Sequence, residues 1–201
     1  MEGINVAKYE TSLIIGRFNP LCLNHLDLFN QARDISKNLI VGVGVPNFEI
    51  AASRFSIDEL IEYKLKNLIP YEKTETILSR HIDARIFKIE DIFDEEHYAD
   101  YVLSKIESTN ARIDSCVLIG ENEWTNRCFR NKLDITKSKD RLGFHATDVR
   151  RELYMTGKSK RIVEGYSDRE IKELALAQEI LDSNGVGKIR LLAKYNFLFG
   201  G

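Results

Sequence analysis

The segment from residue 12 to residue 36 most constrains how this chain can fold. Residues 12–16 read SLIIG, and because both alternating faces are apolar we predict a strand buried on both sides. Residues 24–36 read NHLDLFNQARDIS, in which apolar side chains recur at helical spacing. A buried strand that leads through a short polar turn into an amphipathic helix is typical of a parallel α/β sheet.

The alternation of strands and helices continues through the first two thirds of the chain. Apolar runs predict further strands at 39–45, 84–89 and 115–119, and helical patterns lie at 58–68 and 95–108. This order favours a parallel sheet with right-handed crossovers, whose functional loops lie at the carboxyl ends of the strands. We therefore expect an α/β, Rossmann-like doubly wound sheet over residues 1–143.

The pattern becomes purely helical after residue 143. Thr147 is predicted to cap a helix that runs to Thr156, with Gly157 as its stop. Ser167 and Glu170 have capping-box spacing and predict a helix toward residue 184, and a last helix is predicted over 186–197. With 144–201 as this C-terminal helical segment, we expect the whole chain, 1–201, to form a single domain.

Composition excludes several classes of protein. The net charge is −2 and no long basic tract occurs, which disfavours extended binding to nucleic acid. The three cysteines, Cys22, Cys116 and Cys128, match neither a metal-ligand spacing nor a disulfide framework. No apolar run reaches the length of a membrane span. We expect a cytoplasmic protein with neither nucleic-acid nor membrane partners.

The turn after the first strand carries the first candidate site. His25 falls in the first turn of the predicted helix, where free backbone N–H groups and the positive end of the helix dipole favour anions. Its imidazole can donate a hydrogen bond to a phosphate oxygen, and Arg17, directly after the strand, can add a charge-assisted contact. These residues predict a nucleotide-binding turn.

A second candidate site lies in residues 144–153, FHATDVRREL. Thr147 and the first amides of its helix form another anion site, while Arg150 and Arg151 oppose the helix dipole, an unfavourable choice that often marks function. Two such helix ends could bind a triphosphate from both sides, with a metal ion to offset its charge. The predicted chemistry is nucleotidyl transfer, which needs positioned groups and no protein nucleophile. No phosphate loop, HExxH or CxxC motif is present.

Five segments resemble motifs of one enzyme family. GRFNPLCLNH (16–25) resembles the GRFQPFHxGH signature of the HxGH nucleotidyltransferase superfamily, and HATDVRREL (145–153) resembles its partner motif SGTxVRRxM. Three further segments, 87–102, 120–129 and 183–194, are similar to other parts of the archaeal-type nicotinamide-nucleotide adenylyltransferases. That family joins ATP and nicotinamide mononucleotide to give NAD and pyrophosphate with Mg²⁺, and its members are homo-oligomers, often hexamers.

The resemblance assigns expected roles by position. Arg17, His25 and Arg150 would act in catalysis on the ATP phosphates. Asp91 and Ile92 would read the nicotinamide amide, and Tyr98 would stack on the ring where the family has a tryptophan. The other expected nucleotide-binding residues are Gly16, Phe18, Cys22, Asn24, Asn47, Arg54, Asn122, Trp124, His145 and Thr147. No metal ligand is expected from the protein, and Mg²⁺ is expected to bind with ATP.

The chain also departs from the family pattern. Cys22 replaces the first histidine of the signature, Asn24 its glycine, and His145 the serine of the second motif. We expect Cys22 to be a neutral small residue, because a thiolate would repel phosphate, and His145 to be a candidate replacement donor from the opposite wall. Glu95 falls at an asparagine position beside the ring, and the loop 45–55 is about one residue short.

These departures leave three functions open. In the first, the chain is an active adenylyltransferase for nicotinamide mononucleotide. In the second, it performs the same chemistry on another phosphate-bearing substrate or with CTP. In the third, it is a pseudoenzyme that binds nucleotide without turnover. The retained Arg17, His25, Asp91, Thr147 and Arg150 favour the first.

Overall fold

The computed structural model describes residues 7–108 and 113–199. Within these ranges five strands form one parallel sheet: β1 (Tyr9–Gly16), β2 (Ser36–Val45), β3 (Arg85–Glu90), β4 (Cys116–Ile119) and β5 (Asp134–Thr136). The helices are α1 (Leu23–Ile35), α2 (Phe48–Arg54), α3 (Ile57–Leu65), α4 (Tyr71–His81), α5 (Glu95–Glu107), α6 (Glu123–Phe129), α7 (Ala146–Thr156), α8 (Asp168–Asp182) and α9 (Gly185–Phe199). The outer residues of the expected domain, 1–6 and 200–201, lie outside the described ranges.

The strand order is β3-β2-β1-β4-β5, so β1 lies at the centre. The chain moves outward to one side through β2 and β3, then returns to pair β4 with β1, for example Ser12 with Val117. The crevice at the carboxyl ends of β1 and β4 is therefore the topological switch point, where ligands bind in open α/β sheets. The predicted Rossmann-like, doubly wound fold is confirmed.

Helices cover both faces of the sheet, because its central strands β2, β1 and β4 are apolar on both sides. Phe29 and Ala32 of α1 pack with Ile77 and Leu78 of α4 on one face. The other face is covered by α5 and α6, with the buried residues Tyr98, Ala99, Val102, Ile106 and Phe129. In the described ranges, no helix is long and apolar enough to cross a membrane.

The C-terminal helices pack on the turn that precedes α1. Cys22 lies in a cluster with Phe144, Val149 and Leu153, and α8 joins it through Leu174. The predicted stop at Gly157 is correct, with a φ of 74° that suits glycine. The Ser167–Glu170 capping box is also confirmed, with the Ser167 N–H donating to the Glu170 carboxylate at 2.6 Å.

Four elements were not predicted, and one helix has a different N-cap residue from the predicted one. The short elements α2, α4, α6 and β5 carry no apolar pattern of their own that identifies them. The prediction that Thr147 caps α7 is wrong, because the helix begins at Ala146 with His145 as its cap. The Asp148 carboxylate accepts the His145 N–H at 2.8 Å, which satisfies an otherwise unpaired donor at this end.

Candidate active site

Two cavities at the carboxyl edge of the sheet contain most of the predicted site residues. The histidine cavity has a volume of about 290 Å³ and is lined by Asn24, His25, His145 and Thr147, together with Lys139, Glu121 and neighbours. The aromatic cavity has a volume of about 450 Å³ and is lined by Arg17, Arg54, Phe55, Asp91, Ile92, Phe93, Glu95, Tyr98 and Trp124. The segment that runs from the end of β1 into the first turn of α1 contributes Arg17 to one cavity and His25 to the other.

His25 has a defined proton arrangement. Its Nδ1 faces the backbone N–H of Cys22 at 3.1 Å and must accept that hydrogen bond. The remaining proton of the neutral imidazole is therefore on Nε2, which is left to donate to a ligand. Burial, together with the nearby His145, lowers the pKa of His25 to about 4, so the ring is neutral at physiological pH. The ring of Phe18 lies 5.2 Å from it, edge to face, and limits its rotation.

Cys22 does not line the histidine cavity. Its side chain is fully buried in the apolar cluster with Phe144 and Leu174, and Sγ lies 3.3 Å from Nδ1 of His25. Burial raises the pKa of the Cys22 thiol, which keeps it protonated at neutral pH. Cys22 is therefore neutral, as expected, but its side chain belongs to the core. It affects the site through its backbone N–H.

A segment from the C-terminal part of the chain holds this turn in place. Leu23 donates its N–H to the carbonyl of Arg161 at 2.9 Å, and Val163 donates to the carbonyl of Leu21 at 3.2 Å. The hydroxyl of Tyr166 accepts the N–H of Leu21 at 2.7 Å. These contacts satisfy the polar backbone of the buried turn, and no local sequence signal indicates that these distant residues meet.

The opposite wall of the histidine cavity is the start of α7. Ala146 and Thr147 line it, and His145 is exposed directly before them. The first residues of α1 and α7 thus border the same space, and the positive ends of the two helix dipoles favour an anion there. Lys139 adds positive charge to the lining, and Glu121 and Asp140 add negative charge.

Arg150 is buried, and its guanidinium forms hydrogen bonds within the protein. Its guanidinium donates to Gln178 Oε1 at 2.9 Å, to the Asn19 carbonyl at 2.8 Å and to Thr147 Oγ1 at 3.3 Å. Only 7% of the residue is exposed, and it does not line either of the two cavities. Arg151 points elsewhere and pairs with Asp182 at 2.9 Å. The geometry makes Arg150 a link between α7, α8 and the residue before Pro20.

Arg17 and Asp91 form an ion pair on the wall of the aromatic cavity. Nη2 of Arg17 lies 2.7 Å from Oδ2 of Asp91, and the same oxygen accepts a hydrogen bond from the hydroxyl of Tyr63. The Asp91 backbone N–H donates to the carbonyl of Val45 at 3.0 Å, which ties the end of β3 to the end of β2. Tyr63 was missed by the sequence analysis, because it is a single tyrosine on a predicted helix.

Aromatic side chains form the rest of this wall. The ring of Tyr98 lies 4.7 Å from that of Trp124 at 57°, and burial raises the pKa of Tyr98 well above its usual value. Glu95 pairs with Arg127 at 3.1 Å. Arg54 donates to the carbonyl of Phe93 at 2.7 Å. An aromatic cavity with both charge signs on its wall can bind a planar ring that carries polar substituents.

Three other predicted residues have local structural roles. The side chains of Asn47 and Asn122 cap α2 and α6 by accepting the N–H of Ile50 at 3.1 Å and of Thr125 at 3.0 Å. Gly16 ends β1, where a Cβ would lie 2.9 Å from the ring of Phe18. None of the three lines the two cavities.

No protein-family model matches the sequence, and no curated protein sequence does so either. Solved structures are similar in fold. A bifunctional NMN adenylyltransferase/ADP-ribose pyrophosphatase from Francisella tularensis, complexed with AMP and a manganese ion, matches with a TM-score of 0.55 and 22% identity over 94% of this chain and 53% of its own. The NadR protein in complex with NAD and AMP-PNP matches with a TM-score of 0.53 and 13% identity over 82% of this chain and 46% of its own.

The chain therefore has the Rossmann-like fold found in NMN adenylyltransferases and NadR, and it spans about half the length of these proteins. Identities this low establish the fold alone. The activity has to be argued from the site.

Proposed function

We propose that this chain is a nucleotidyltransferase that transfers AMP from ATP to nicotinamide mononucleotide, giving NAD and pyrophosphate. One observation carries the proposal: a single short segment, residues 17–25, supplies Arg17 to the aromatic cavity and His25 to the histidine cavity. A ring held in the first cavity and phosphates held in the second would thus be positioned by the same piece of backbone. The similar solved structures with AMP, NAD and AMP-PNP support nucleotide substrates.

In the proposed reaction, a phosphate oxygen of nicotinamide mononucleotide attacks the α-phosphorus of ATP. The new P–O bond forms as the bond to the β-phosphate breaks, and pyrophosphate leaves with the electron pair. Nε2–H of His25 donates to a phosphate oxygen, and the N-termini of α1 and α7 offset the negative charge. Thr147, Asn24 and His145 add polar contacts to the same cavity.

The aromatic cavity would hold the nicotinamide ring. Tyr98 and Trp124 offer π faces to the ring, and Asp91 can accept a hydrogen bond from the carboxamide. Ile92 and Arg54 complete the proposed contacts.

Mg²⁺ would enter with ATP and offset the charge of the phosphates. In the part of the chain that the structure describes, no three His, Cys, Asp or Glu side chains lie close enough together to hold a metal ion. In this proposal the ion is held by the phosphate oxygens of the substrate. The manganese ion in the Francisella tularensis structure supports the use of a divalent ion. The proposal includes a homo-oligomer, a hexamer by the resemblance, which light scattering after gel filtration would measure.

The test is release of pyrophosphate and formation of NAD from ATP, nicotinamide mononucleotide and Mg²⁺ by the purified protein. We expect turnover that R17Q abolishes. R33Q is the control and should retain it, because the guanidinium of Arg33 in α1 donates to the carbonyl of Asp83, away from both cavities. Faster turnover with CTP or with another phosphate acceptor would identify a different substrate for the same chemistry. ATP binding in a calorimeter without turnover on any acceptor would identify a pseudoenzyme and contradict the proposal.

A further inference from the structure

Tyr63 lies behind the wall of the aromatic cavity. The residue is 7% exposed and is not among those that line the cavity. It contacts groups that follow three adjacent strands: Arg17 after β1, Asn47 after β2 and Asp91 after β3. A side chain that joins the carboxyl ends of three strands is well placed to set the geometry of the cavity wall.

The direction of the Tyr63 hydroxyl proton follows from its two partners. The backbone N–H of Asn47 donates to the hydroxyl oxygen at 3.1 Å, so that oxygen serves as an acceptor there. The hydroxyl proton is donated to Oδ2 of Asp91. Burial and this hydrogen bond raise the pKa of Tyr63 well above its usual value of 10, so the phenol remains a donor.

The contact leaves one oxygen of Asp91 for a ligand. Oδ2 accepts from both Tyr63 and Arg17, whereas Oδ1 accepts no hydrogen bond from the described residues. Since the two donors fix the plane of the carboxylate, the position of Oδ1 is fixed as well. A carboxylate oxygen can only accept, so it favours a ligand N–H and disfavours a ligand carboxylate.

The ring of Tyr63 is held as firmly as its hydroxyl. Phe48 lies 5.6 Å from it, Phe55 5.5 Å and Phe93 5.7 Å between ring centroids. The guanidinium of Arg17 lies 5.3 Å from the same ring, a cation–π distance. Tyr63 thus restrains both members of the Arg17–Asp91 pair.

We infer that Tyr63 is a positioning residue that orients Asp91 and Arg17, and through them makes the cavity prefer a pyridine ring with a carboxamide over one with a carboxylate. This inference rests on the proposed function. It assigns a role in acceptor selection to α3, a helix outside the two sequence motifs.

The test compares Y63F with the unmodified protein on nicotinamide mononucleotide and on nicotinate mononucleotide. We expect the KM for nicotinamide mononucleotide to rise about tenfold in Y63F, the order of one hydrogen bond to a charged group, while the KM for ATP stays unchanged. The preference for the amide over the acid should fall by a similar factor. In a D91N background, Y63F should add no further loss, because the group it positions has already changed.

Y71F is the matched control. Tyr71 of α4 donates its hydroxyl to Glu75 at 2.7 Å, so the substitution removes an equivalent tyrosine–carboxylate hydrogen bond away from both cavities. Y71F should leave both KM values and the amide preference unchanged. Thermal unfolding of both variants would check that they are folded at the assay temperature.

The outcomes separate the two proposals. An active unmodified protein whose amide preference and acceptor KM are the same in Y63F overturns the role of Tyr63 and leaves the proposed function standing. The same follows if Y63F raises the KM for nicotinamide mononucleotide and the KM for ATP by the same factor, as a general loss of rigidity would. If calorimetry finds that the unmodified protein binds neither mononucleotide, both the proposed function and this inference are overturned.

Discussion

The backbone N–H of Cys22 donates to Nδ1 of His25 at 3.1 Å. This bond joins the residue before α1 to the third residue of the helix, the arrangement of a capping box in which the imidazole takes the place of the usual carboxylate. It fixes the imidazole tautomer and leaves Nε2–H as the donor. Position 22, where the family signature has its first histidine, thus contributes to the site through its backbone N–H, whichever side chain it carries.

The two halves of the His25 imidazole can be tested separately. In H25N the side-chain oxygen can still accept the Cys22 N–H, but the Nε2–H donor is lost, so we expect a folded protein whose turnover falls about 100-fold or more. In H25A both the cap and the donor are lost, so turnover should fall as in H25N while the missing cap costs about 1 kcal/mol of stability beyond H25N. Steady-state rates and urea unfolding of both variants measure the two effects. Equal turnover in H25N and the unmodified protein would exclude His25 from the reaction.

Restoring a histidine at position 22 should not improve the enzyme. The Cys22 side chain is fully buried, so C22H would force a larger, polar ring into a packed cluster and should destabilise the protein by about 1–3 kcal/mol. C22A should retain turnover and lose about 1 kcal/mol of stability for the small void that it leaves. Melting temperature and pyrophosphate release distinguish these outcomes. A C22H protein with unchanged melting temperature and faster turnover would place the side chain in the site.

Stability should depend on pH through His25. Its pKa is about 4 in the folded protein and 6.5 ordinarily, so between these values the unfolded chain binds a proton that the folded chain does not. The contribution of His25 is complete above pH 6.5 and should be lost as the pH falls toward 4. The free energy of unfolding in urea, measured from pH 7.5 to 4.5, should therefore fall more steeply for the unmodified protein than for H25N. Parallel curves would contradict the burial of a neutral imidazole.

Replacing His145 should change both the affinity for ATP and the pKa of His25. H145A removes a polar group from the histidine cavity, and the Kd for ATP in a calorimeter should rise about tenfold or less. The pKa of His25, followed by NMR, should rise above about 4, because the charge of His145 contributes to lowering it. H97A is the control, since His97 is exposed and its imidazole pairs with Asp94. Identical behaviour of H145A and H97A would remove His145 from the site.

Replacing Arg150 should above all lower the free energy of unfolding. R150A leaves the Asn19 carbonyl and the Gln178 side chain without a buried donor, which should cost about 2 kcal/mol or more. Chemical denaturation measures this loss. R151A is its control and should cost about 1 kcal/mol or less, because the Arg151–Asp182 pair is partly exposed. A stable R150A protein that no longer binds ATP would point instead to direct contact with the phosphates.

Local patterns predicted the parts of the fold whose signals lie within one element. The strands around Ile14 and Val41 are apolar on both faces, the strand around Ile89 contains a short apolar run, and α1 has a regular helical stripe. The same is true of the Ser167 cap and the Gly157 stop, which are short-range hydrogen-bonding and backbone preferences. In contrast, α4 buries only Thr74, Ile77 and Leu78, too narrow a stripe to identify it, and β5 has three residues paired with β4.

The sequence by itself determined the order of β1 to β4 and of most of the helices, and it placed Arg17 and His25 between the end of β1 and the first turn of α1. Tertiary structure alone decided that these two residues serve different cavities, that Tyr63 joins Arg17 to Asp91, and that residues 161–166 hold the turn. It also decided that Cys22 and Arg150 are buried. Periodicity and capping are properties of neighbouring residues, whereas burial and hydrogen bonds across 74 or 131 positions depend on how the elements pack.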